Sequence, residues 1–247
     1  MAFLIKNKTF IHSTRYFKFD VPTKCNKSFL STVIPEHYDQ TINSNIKTFK
    51  HQHTTLISLN RPDEKNRLNI KTVSDLRKAI SEFENDCSSK VAIIYGEGGS
   101  FCGGMESELV KAPEIWNNFL QSYCQKPIIA AVSGFSYDVG FDLCLWCDIR
   151  IVEENAVIAV NRKSDAPKSK TFLKRLISTV GYSRAMDLVL TGRDLYSKEA
   201  FECGLANRIV ACGSSVGQAV NMAFNIGKFP QLAMSYDRSI IHKTSIK

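Results

Sequence analysis

No apolar run in the 247-residue sequence approaches the ~18 residues that a membrane-crossing helix requires, so no membrane span is expected. No uninterrupted apolar stretch follows the basic residues at the start, which argues against a secretory signal. Acid is missing there too: none precedes Asp20, while Lys6, Lys8, Arg15 and Lys18 stand among apolar, aromatic and hydroxyl-bearing neighbours. That composition predicts a mitochondrial, matrix-directed targeting segment within residues 1–34, with a disordered basic tail on a cytoplasmic protein as the alternative. The eight cysteines form no framework. Cys144 and Cys147 make a C-x-x-C, but no second pair or His cluster completes a metal site, and small core-facing residues in a reducing compartment are the plainer reading. A concentrated basic face is also lacking. Of the formal +8, the first fifty residues hold eight Lys/Arg against three Asp/Glu, so the body is only mildly basic, which argues against a nucleic-acid partner.

What is present is 44% hydrophobic residues, with apolar runs alternating with helical patterns, which points to one α/β domain over residues 35–247. Residues 35–50 read as a polar lead-in. Strands are expected at 55–59, 91–95, 128–132, 149–152, 157–160 and 207–210. Helices are expected after Thr72, which stands where a cap would, and over 113–125, 183–190, 197–203 and the stripe Val216, Ala219, Val220, Ala223 and Phe224.

The stretch 127–151 organises the rest. An apolar strand ends at Gly134, and a helix begins within 137–140. Val139 and Asp142 are three apart, so a helix puts the carboxylate over the face of the Val139 N–H, an unpaired donor at a positive helix end. Such a site holds a developing oxyanion with a proton carrier beside it. A second strand runs into FCGGME at 101–106, either a plain left-handed turn or, taken with 127–151, the second source of main-chain N–H groups. Asp138 reads as a helix N-cap or as a second acid. The charged patch at 161–170 reads as a solvated loop or a phosphate contact.

These residues resemble the crotonase, or enoyl-CoA hydratase/isomerase, superfamily over about 55–238. The pieces LISLNRPDEKNRLN, SFCGGME, KPIIAAVSG, DLCLWCDIRI, VGYSRAMDLVLTGR and SKEAFECGLANRIV match in order, closest to its hydratase-like branch. The resemblance implies a crotonase-like spiral of repeated ββα units, here with a shortened C-terminal helical region. It also implies an acyl-CoA thioester as substrate, with coenzyme A part of that substrate and no separate cofactor or metal, and a homo-oligomer, trimer or hexamer. The Met105 and Val139 N–H groups would form the oxyanion hole, with Cys102, Gly103, Gly104 and Gly140 along the substrate path. Of the two carboxylates in the family's hydratases, the first falls on Asp142, a glutamate shortened by one methylene. The second falls on Asn161, which holds a water but exchanges no proton at neutral pH. The expected activity is hydration of a 2-enoyl-CoA; the alternatives are double-bond isomerisation and acyl-CoA binding with impaired catalysis.

Overall fold

The computed structural model describes residues 41–42, 45–160 and 168–246. The expected targeting segment and Asn161 lie outside the described residues, as does most of the charged patch. Among the described residues no helix is long and apolar enough to cross a membrane.

The larger sheet begins with an antiparallel run, β1 (Thr41–Ile42), β2 (Ile46–His51) and β3 (Thr54–Leu59). It continues in parallel through β4 (Val91–Gly96), β5 (Ile128–Val132), β7 (Ile149–Glu153) and β10 (Arg208–Val210). A smaller sheet joins β6 (Phe135–Tyr137), β8 (Val157–Ala159) and β9 (Asp194–Tyr196). An isolated bridge between Cys102 and Ser136 extends it. Three successive passes therefore give a strand to the larger sheet and then a strand or bridge to the smaller: β4 with Cys102, β5 with β6, and β7 with β8. This is the expected ββα spiral.

The helices are α1 (Ile70–Asn85), α2 (Ser107–Lys111), α3 (Pro113–Gln121), α4 (Val139–Trp146), α5 (Lys170–Val180), α6 (Tyr182–Thr191), α7 (Ser197–Glu202), α8 (Ser215–Ile226) and α9 (Gln231–Ile246). β4 and β5 read as unbroken apolar runs because both their faces are covered. Ala92, Ile94, Ile128, Ala130 and Val132 join the larger core with α1, α3, α4 and α5. The intervening Ile93, Tyr95, Ile129 and Ala131 pack with Ala219, Val220 and Ala223 of α8. Cys144 and Cys147 lie in the larger core, where burial pushes the Cys144 thiol up to about 12.

Several expectations are corrected. Asn69, not Thr72, caps α1: it is extended, and its side chain accepts from the Thr72 N–H at 2.8 Å. Asn is among the strongest N-cap residues, and Thr72 is already inside the first turn. Helix α3 ends at Gln121 because Ser122 is extended. The polar lead-in contains β2, while α5 and α9 were not foreseen. Helix α9 is tied down by Arg238, whose Nε meets Asp148 Oδ1 at 2.7 Å while its Nη1 donates to the Cys124 carbonyl. The other Asp148 oxygen accepts from the Ile128 N–H at 2.8 Å, which links α9 to the start of β5.

Candidate active site

The loop after β4 and the turn after β5 are sewn together along Cys102. Its N–H donates to the Phe135 carbonyl at 2.9 Å, and its carbonyl accepts from the Tyr137 N–H at 2.9 Å. The next turn of chain presses on the same residue: a Cβ built on Gly140 would lie 2.4 Å from the Cys102 carbonyl oxygen. Gly104, at φ +116°, takes a backbone conformation that side chains disfavour, and an added Cβ there would sit 3.8 Å from Asp138 Cβ.

This packing orients two main-chain donors. Leu68 exchanges both its backbone bonds with the neighbours of Met105, accepting from Glu106 N–H and donating to the Gly104 carbonyl. In a parallel bridge the residue between them turns its own N–H the other way. Among the described residues the Met105 N–H has no protein acceptor. Val139 is the first residue of α4, whose N-cap side chain makes no cap bond, and its N–H is likewise unclaimed among the described residues.

Asp142, one turn into α4, is buried. Trp116 Nε1 donates to its Oδ2 at 2.8 Å, and its Oδ1 is buried with no hydrogen-bond partner among the described residues. The indole is fixed by stacking on Phe119 at 4.9 Å. Burial pushes the Asp142 carboxyl up to about 7; the Trp116 bond opposes that rise, the Asp138 charge adds to it, and Lys168 and Arg175 oppose it. A carboxyl poised there exchanges protons at neutral pH. Met105, Trp116, Asp138, Asp142 and Lys168 border one cavity of about 50 Å³, room for a few water molecules.

The structure thus brings Met105, Val139 and Asp142 together, with Cys102, Gly103, Gly104 and Gly140 in the stitched loops beside them. Asp138 holds the N-cap position of α4, its carbonyl accepting from the Asp142 N–H at 3.0 Å, but its side chain does not cap the helix. It stands at φ 54°, ψ −115° and its side chain makes no cap bond, because its carboxylate is committed to a buried ion pair with Lys168, the two side chains 7% and 9% exposed. Lys168 is accordingly not part of a solvated loop. Sequence reading missed Trp116 and Lys168. Trp116 could have been found from its place on the buried stripe of α3 with Phe119 and Leu120. Nothing in the sequence pairs Lys168 with Asp138 thirty residues earlier.

A spiral whose neighbouring loops set main-chain N–H groups, unclaimed among the described residues, beside a buried carboxyl defines a crotonase-fold protein. The chain belongs to the enoyl-CoA hydratase/isomerase family, whose sequence profile matches residues 50–245. It is 33% identical to a probable mitochondrial enoyl-CoA hydratase of Dictyostelium discoideum over 79% of this chain and 74% of that protein. A mevalonyl-coenzyme A hydratase of Aspergillus fumigatus is 30% identical over 76% and 74%. Among solved structures, an enoyl-CoA hydratase from Mycobacterium tuberculosis superposes with a TM-score of 0.75 at 28% identity, covering 82% of this chain and 83% of the other. A monofunctional enoyl-CoA isomerase from M. smegmatis superposes at 0.74 and 26%, covering 82% and 94%.

Proposed function

We propose that this chain is an enoyl-CoA hydratase, adding water across the 2,3-double bond of a 2-enoyl-CoA thioester. The observation that carries the reading is Asp142: buried, held at one oxygen by Trp116, unpartnered among the described residues at the other and raised to about 7, beside two unclaimed main-chain donors. The Met105 and Val139 N–H groups receive the thioester oxygen as it gains charge. Asp142 as carboxylate takes a proton from water, the hydroxyl oxygen bonds to C3, and the same carboxyl returns the proton to C2 on the same face. One group serving as base and then acid supports a slower enzyme than two, since acid–base help supplies roughly 10²–10⁴.

Incubation with crotonyl-CoA tests this through loss of the conjugated thioester absorbance and identification of the product. A 3-hydroxyacyl-CoA product, lost in Asp142→Asn while acyl-CoA binding persists, is the expected result. Unchanged turnover in that variant would overturn the assignment. Isomerisation is the second reading, because one carboxyl suffices to shuttle a proton between two carbons. Conversion of a 3-enoyl-CoA to the 2-enoyl isomer without a hydroxyacyl product would establish it.

Self-association as a trimer or hexamer is part of the same proposal. Helix α6 leaves Tyr182 and Leu190 67% and 71% exposed, with Met186 between them, an apolar row at helical spacing that favours burial against another subunit. Mitochondrial residence rests on the basic start of the sequence and on the mitochondrial location in the name of the Dictyostelium relative.

A further inference from the structure

A buried ion pair contributes little net stability, because desolvation offsets most of the attraction. Here the pair also rests on a strained backbone. Asp138, with φ 54° and ψ −115°, occupies a region that suits glycine, and such strain persists where the surroundings or the function over-determine it. The residue stands just before α4 yet gives its helix no side-chain cap bond. Its carboxylate goes to Lys168 instead, and both side chains border the cavity that Asp142 borders. An ammonium has three donor hydrogens, and among the described residues Lys168 Nζ bonds Asp138 alone. Among the described residues two donors therefore remain on a nearly buried cation that borders the same cavity as Asp142, whose Oδ1 has no partner among those residues.

We propose that Lys168, held in place by Asp138, is a catalytic residue of the hydration reaction that binds the oxygen of the reacting water opposite Asp142. This rests on the hydratase reading. Water bound between the two donates one proton to Asp142 and accepts a hydrogen bond from Lys168. The ammonium lowers the water's pKa without giving up a proton, and Asp142 carries the transferred proton to C2. In the reverse direction the same contact stabilises the hydroxide leaving C3. Asp138 is the positioning residue, since its charge keeps the cation in the cavity.

The decisive variant removes both partners, Asp138→Gly together with Lys168→Met, so that neither leaves the other as an unpaired buried charge and the strained backbone is relieved. Its melting temperature is expected to be no lower than that of the wild type. Its KM for crotonyl-CoA should stay within about twofold and its kcat fall about 10²-fold. Lys168→Gln, which keeps a donor for Asp138 and loses only the charge, should lower kcat at least about tenfold and decides the matter should the double variant not fold. Wild-type kcat in either folded variant, or a change confined to KM, overturns the role of Lys168 while leaving the hydratase reading intact. Absence of hydration by the wild-type protein removes that reading, and this role with it.

Discussion

Trp116 Nε1 and Asp142 Oδ2 lie 2.8 Å apart, so an indole on α3 grips one oxygen of a carboxyl on α4. That bond favours the charged form of Asp142 against burial. In Trp116→Phe the acid limb of the pH–rate profile should move upward by about one pH unit, the worth of a hydrogen bond to a charged group. The kcat/KM profile from about pH 5.5 to about pH 9, which brackets both the original and the shifted limb, checks it; an unmoved limb would show that the indole only packs.

The same carboxyl should make the fold more stable in mild acid. Its folded-state value is about 7 against 3.8 for the ordinary group, so between those values the folded protein holds a proton that the unfolded chain has released. Stability therefore declines as pH rises through that window, by at most about 4 kcal/mol. Asp142→Asn removes the charge and should be more stable than wild type at pH 8, with the gap closing toward about pH 5. Urea denaturation at the two pH values reads this; a gap independent of pH would contradict it.

Gly140→Ala sets a methyl group 2.4 Å from the Cys102 carbonyl oxygen and 2.8 Å from its Cβ. Neither neighbour is a flexible side-chain end. The substitution should lower stability by about 1–3 kcal/mol and reduce turnover further, because the N–H groups on either side are displaced. Thermal melting and crotonyl-CoA hydration measured together check both parts.

If the α6 row is a subunit contact, Tyr182→Lys with Leu190→Lys should convert the oligomer to a monomer without unfolding it. Light scattering at matched concentration reads the mass, and an unchanged mass would place the contact elsewhere.

The strands β3, β4, β5 and β7 and the helix α4 were legible in the sequence because their apolar residues run continuously or at one period between glycine and turn signals. Helix α5 was hidden by its polar neighbours. Its inner face is essentially Phe172, Arg175 and Leu176, and an arginine in a buried stripe breaks the pattern. Helix α9 leaves Leu232 and Tyr236 exposed and has no strong apolar side to detect. The positions of Met105, Val139 and Asp142 were readable because they are fixed by local turns and by the resemblance. Trp116 and Lys168 were not, since their meaning comes from contacts between distant parts of the chain. Asp138 misled for a physical reason: a residue favoured at helix caps uses its side chain on a partner that only the tertiary fold supplies.

Strands apolar on both faces carry no alternation of apolar and polar residues to fix which residue pairs with which. β4 and β5 are such strands, yet Ile94 faces Ala130, and the bonds from Cys102 to Phe135 and Tyr137 tie the two continuing segments together again just beyond the sheet. A slip of one residue would shift one loop against the other by about 3.3 Å, too far for two N–H groups to share one oxygen. The contacts that build the site thus also lock the sheet's register, and catalytic rate becomes a sensitive gauge of correct strand alignment.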